Sequence, residues 1–159
     1  MNISEIIKWG DIELAGGFKG LYKKGWQKVG VTSKWSAREL LAHLVSYEWL
    51  LVDALKYVAG QGPTPTLDAM NEDYDKFNDN QVEVRKGKSA QALMSEYKKA
   101  YREVLKLTKK LGTAKLEKRG SIPWYGKQYA LDDFIVYANY AHKREHATGL
   151  KQFRKRTKI

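Results

Sequence analysis

The chain has three histidines, and two of them, His142 and His146, stand four residues apart in "AHKREHATG". On a helix that spacing puts both imidazoles on one face. Two rings so placed can reach a common ion at ~2.1 Å each. Alone, the pair also reads as polar decoration of a solvent face. The third histidine, His43, changes the weighing. It lies in "KWSARELLAHLVSYEWLL", between Leu40, Leu44 and Tyr47, on the apolar stripe of a predicted helix. His142 and His146 share a stripe with Ile135, Asn139, Leu150 and Phe153. All three histidines therefore face the expected core, from two helices. Leaving a buried polar group unpaired costs about 1–3 kcal/mol. A shared ion removes that cost for three rings at once. The competing readings are hydrogen-bonded core histidines, or a helix phase that turns one segment's histidines away from the core.

Three neutral nitrogens around one ion leave at least one coordination position open, as in catalytic sites rather than closed structural ones. Such an ion lowers the pKa of bound water or polarises a substrate oxygen. Acceptors behind the rings should orient them; Glu48 is one candidate, with Tyr47 and Tyr140 as others. Glu145 also makes "HKREH" a match to H-x-x-E-H, where the glutamate serves as a general base. A short, helical chain does not supply the context of that protease motif. Glu145 is retained as a candidate catalytic base in another reaction, next to its plainer reading as a solvated acid among Lys143 and Arg144.

Helices must position these residues. Ile3, Ile7, Leu14, Phe18 and Leu21 recur at helical spacing, interrupted by glycines that each weaken a helix by somewhat under ~1 kcal/mol. The second helix has the clearest start: Ser36 as N-cap with Glu39 three residues on, a capping box, and Trp35 and Leu40 as a hydrophobic staple. Gly60, Gly62 and Pro63 end it. The next stretch, "PTPTLDAMNEDYDKFNDNQVEVRKGK", reads as a long connection with a short helix around Leu67 to Phe77. Ser89 caps a third helix whose face carries Leu93, Tyr97, Ala100, Val104, Leu107 and Leu111. "KRGSIPWYGKQYALDD" reads as a loop or small hairpin, and a fourth helix follows with Asp132 and Asp133 near its positive end. The expectation is an all-α four-helix bundle, one domain over residues 1–159, with a long connection between helices two and three and a basic C-terminal tail from about 151 to 159.

Composition narrows the chemistry. The 159 residues are 43% hydrophobic and 30% charged, which describes a globular chain. There is no cysteine, so disulfides, thiolate metal sites and cysteine nucleophiles are excluded, and a cytoplasmic location is favoured. No apolar run approaches the ~20 residues of a membrane span. The opening "MNISEIIKWGD" has no basic start followed by an apolar block, so no secretory signal is expected. The formal net charge is +11, with basic stretches at Lys98 to Lys118 and Lys143 to Lys158 and an acidic one at Asp68 to Glu83. Such runs are usually solvated faces, but they also raise anionic partners.

Taken together, "KWSARELLAHLVSYEWLL", "NEDYDKFN" and "IPWYGKQYALDDFIVYANYAHKREHATGL" resemble the DinB-like superfamily over most of the chain. The superfamily includes damage-inducible DinB proteins, bacillithiol- and mycothiol-dependent transferases and self-resistance hydrolases. The most specific likeness is the histidine trio, with Trp35 and Ser36 leading to His43 and an HxxxH at His142 and His146. The "PWYG" loop is similar to a branch that protects against DNA-damaging electrophiles. The resemblance implies an up-down-down-up bundle and a divalent metal, zinc or nickel, on those three histidines. It also implies a homodimer and a reaction on a small electrophile, by transfer of a low-molecular-weight thiol or by hydrolysis.

Two other functions fit the same residues. A cofactor-free resistance or hydrolase protein would bind its small-molecule substrate in an aromatic pocket of Trp124 and Tyr125, with Tyr47 and Tyr140 as further substrate-binding candidates. A nucleic-acid-associated protein would use "KQFRKRTK" and the basic third helix for nonspecific phosphate contacts.

Overall fold

The computed structural model describes residues 1–158. Its helices are α1 (Ile3–Phe18), α2 (Lys23–Gln27), α3 (Ala37–Val58), α4 (Pro65–Glu72), α5 (Phe77–Glu83), α6 (Ala90–Leu111), α7 (Thr113–Leu116), α8 (Leu131–Phe134) and α9 (His142–Thr157). A π-helical segment, Ile135–Ala141, joins α8 to α9, so Leu131–Thr157 is one continuous rod. Among the described residues the only β pairing is an isolated antiparallel bridge between Val29 and Ser36. Among the described residues no helix is long and apolar enough to cross a membrane.

The expected caps are present. The Ser36 side chain accepts the Glu39 amide at 3.3 Å, and the Glu39 carboxylate accepts the Ser36 amide at 2.8 Å. Ser89 accepts the Ala92 amide at 3.1 Å and starts α6. These bonds satisfy N–H groups that the first turn of a helix leaves free. Each long helix then buries the stripe its sequence lays out: Ile3, Ile7, Leu14 and Phe18 on α1, and Leu93, Tyr97, Ala100, Val104 and Leu107 on α6. α3 is buried almost all round from Ala37 to Leu55 and forms the centre of the core.

The neighbours of α3 fix the site. α1 runs parallel to the last rod, with Gly10 against Lys143 and Tyr140, Gly17 against Ala147, and Gly20 against Arg154. These glycines let the two helices close up. A Cβ at Gly17 would lie 3.0 Å from the Ala147 Cα, tighter than most real Cβ contacts, so the backbones would have to move apart. The residues that weaken α1 as an isolated helix thus enable its packing. α3 and α6 run parallel, joined where Arg38 donates to the Lys88 carbonyl and Trp49 to the Glu96 carboxylate. The last rod runs antiparallel to α3, which brings His43 level with His142 and His146.

The connection between α3 and α6 differs from the sequence expectation. It holds two helices, α4 and α5, both packed on α3, instead of one short helix in a long loop. The cause is a buried carboxylate. Asp53 of α3 accepts the amides of Thr66 at 2.6 Å and Leu67 at 3.2 Å and so caps α4 from outside. Leu67, Met70, Phe77 and Val82 then bury against the core. The basic stretch expected as a tail is helical through Thr157, with Phe153 buried; Ile159 lies outside the described residues.

Candidate metal centre

His43 lies in the first half of α3 and is only 3% exposed. His142 opens α9, and His146 follows one turn later. The His142 Nε2 is 3.0 Å from His43 Nε2 and 2.9 Å from His146 Nε2. One ligand atom from each residue lies within 4.8 Å of the other two. A tetrahedral ion with ~2.0–2.1 Å bonds separates its ligand nitrogens by roughly 3.3 Å, so the spacing suits a shared ion. Hydrogen bonding suits it less well. A ring nitrogen carries either one N–H or one lone pair, and His142 Nε2 cannot serve two neighbours in that way.

Burial keeps the rings in the form a metal needs. It lowers the His43 pKa to about 3, with His146 and Lys34 adding repulsion. It lowers the His142 pKa to about 2, with His146, His43 and Lys143 adding to the effect. Burial also lowers that of His146, while neighbouring Glu145 opposes the shift. All three imidazoles are therefore neutral at neutral pH, with lone pairs free to coordinate.

Aromatic rings wall the cluster. Trp35 and Tyr47 each lie 4.8 Å from the His43 ring, and Tyr47 lies 4.4 Å from His142. Phe77 of α5 packs edge-on to Tyr47 at 6.0 Å, so the ordered connection contributes to the wall. Next to His146 a groove of about 550 Å³ opens to solvent, lined by Val31, Thr32, Glu145, Thr148, Gly149 and Gln152 among others. Glu145 is exposed on its edge.

The structure relocates several residues singled out from the sequence. Glu48 does not orient a histidine. It is fully buried, and its carboxylate meets the Lys143 ammonium at 2.7 Å and accepts from Asn139 Nδ2 at 3.2 Å. The Nδ1 atoms of His43 and His142 have no protein partner among the described residues. Tyr47 lies tilted against the His43 and His142 rings, as part of the wall. Tyr140 points instead at α1, 3.3 Å from where a Gly10 Cβ would be, with Arg144 above its ring. Trp124 packs edge-on to Tyr57 at 4.7 Å, and Tyr125 lies on Tyr129 and Phe134, at 5.0 and 5.2 Å. Both close over the core cluster formed with Leu131, Phe134 and Ile135.

Lys143 is the residue that sequence reasoning missed. It falls in a basic run and looks solvated, yet it is 2% exposed. Its ammonium also sits 5.3 Å from the Tyr97 ring and 5.7 Å from that of Tyr101, which attracts a cation. The signal was in the phase. Ile135, Asn139, Lys143, Ala147 and Leu150 are spaced by three or four and are all buried, and Glu48 interrupts the Leu44–Leu51 stripe in the same way. Opposite charges at inward positions of two facing helices predict a pair. The π segment carries Asn139 and ends immediately before His142, and π-helical stretches inside helices are frequent at functional sites.

The sequence profile of the DinB superfamily matches residues 14–148, a span that includes all three histidines. The chain belongs to the DinB superfamily. No curated protein matches it, and no solved structure does. In this DinB-superfamily chain, His43, His142 and His146 form a group that can hold a metal ion.

Proposed function

We propose that the chain is a metal-dependent enzyme of the DinB superfamily, acting on a small electrophilic molecule by thiol transfer or hydrolysis. In this reading α1, α3, α6 and the last rod are the four-helix bundle of that superfamily. His43, His142 and His146 hold a divalent ion, zinc or nickel. The carrying observation is the convergence of three neutral imidazoles from two antiparallel helices, with His142 Nε2 3.0 Å from His43 Nε2 and 2.9 Å from His146 Nε2. A divalent ion held there would polarise an oxygen or sulfur ligand and favour its deprotonated form.

The remaining roles belong to the side chains. Trp35, Tyr47 and Phe77 shield one side of the cluster from water. The groove beside His146 admits a small molecule from the other side. Glu145, exposed at its edge, can accept a proton from an incoming thiol or water and return it to a leaving group. An aromatic substrate pocket at Trp124 and Tyr125 has less support, because both rings are engaged with the core.

The test is turnover. Metal-loaded protein is incubated with a low-molecular-weight thiol and a panel of epoxides, aryl halides and maleimides, and loss of electrophile is followed. Turnover that needs metal and disappears in His146→Ala supports the proposal. Turnover that survives both chelation and this substitution would assign the reaction to a cofactor-free site.

A further inference from the structure

A second concave site lies away from the histidines, in the seam between α1 and α6. These helices run antiparallel. Met1 to Ser4 lie beside Thr108 and Gly112, and Asp11 and Lys19 beside Met94 and Arg102. α1 packs mainly on the last rod, drawn there by Gly10 and Gly17. On its α6 side, Ala15 and Gly16 project little, and the seam stays open as a cavity of about 750 Å³. That is within the ~300–1,000 Å³ range of small-molecule sites.

The lining defines the ligand. Leu14, Phe18, Leu41 and Met94 give an apolar floor, and Trp26 of α2 stacks on Phe18 with ring centroids 5.1 Å apart. The rim is basic: Lys19, Lys98 and Arg102 are exposed there, against the single carboxylate of Asp11. Tyr97 lines the same cavity at 3% exposure, with its hydroxyl beside the Asp11 carboxylate.

We propose that this seam binds an amphipathic anion, a molecule with an alkyl or aryl body and one carboxylate head. The body fills the apolar floor and the head meets the cations of the rim. A nucleic acid fits poorly, because its charge is spread along a backbone and the floor offers nothing to pair with phosphate. The site is independent of the histidine cluster and needs no metal.

Dodecanoate below its micellar concentration is the probe, followed by calorimetry on the full chain. The expected result is saturable binding of one molecule per chain, weakened at least tenfold in Lys98→Glu/Arg102→Glu. Lys109→Glu/Lys110→Glu makes the same change in net charge further along α6 and leaves binding unchanged. Ala15→Trp, at an exposed position on the cavity wall, fills the space and abolishes binding. The two cavity variants act separately, so a folding failure in one leaves the other to decide. Absence of saturable binding, equal binding of dodecylammonium, or binding that survives both cavity variants would overturn the proposal. So would a dimer that Ala15→Trp dissociates, since the seam would then be covered by a second copy.

Discussion

The histidine cluster and the Glu48–Lys143 pair are built from the same two helices, about a turn apart, and meet the cost of burial in opposite ways. Glu48 and Lys143 bring a full negative and a full positive charge, 2.7 Å apart, with Asn139 and two tyrosine faces around them. That cluster is balanced by the chain itself. His43, His142 and His146 bring three lone pairs and no cation. In the proposed reading a divalent ion would engage all three. Enclosed polar groups with their own counter-charge serve the fold, and enclosed polar groups without one point to a ligand.

The contrast can be broken from either side. The largest effect is expected at the self-sufficient pair. Lys143→Met strands the Glu48 carboxylate and should destabilise the protein by about 3–5 kcal/mol in urea unfolding, while Glu48→Leu/Lys143→Met should regain most of the loss. A double variant as unstable as the single one would show that the pair is not an isolated charge balance. The histidine cluster should respond to metal instead. Zinc at a hundredfold excess over its Kd should stabilise the protein by about 2.7 kcal/mol, and His142→Ala should remove that gain.

Acid sharpens the comparison further. In the unfolded chain each imidazole titrates near its ordinary value of about 6.5. In the folded chain burial lowers His43 to about 3 and His142 to about 2. Between those limits the unfolded state binds more protons, so the folded state is favoured less as pH falls. The metal-free protein should keep this contribution in full above pH ~6.5 and lose it progressively toward pH ~3. His43→Ala should flatten the slope over that window, and an unchanged slope would contradict the burial of that ring. The smallest effect is a control outside both clusters. Ser36→Ala removes the cap of α3 and should cost about 1 kcal/mol, with no change in metal response.

The sequence made the helices legible where periodicity and caps agree, as at Ser36 and Ser89. It also showed the histidine trio, because three residues of one rare type fell on two apolar stripes. The ordered connection was hidden because the cap of α4 is Asp53, a residue on another helix, and no local pattern reveals a distant partner. Lys143 was hidden by its neighbours, since a basic run reads as solvated until its phase is compared with Glu48. The seam between α1 and α6 was also out of reach. It depends on which neighbour the glycines of α1 favour, and that is set by packing across helices.

The function proposed for this chain depends on metal binding at His43, His142 and His146. The direct measurement is metal content and affinity, by elemental analysis and by titration of apo-protein with zinc and nickel, for the wild type and for His43→Ala, His142→Ala and His146→Ala. About one divalent ion per wild-type chain is expected, and its loss in each variant. A wild-type chain that takes up no ion, or variants that bind as the wild type does, would contradict it.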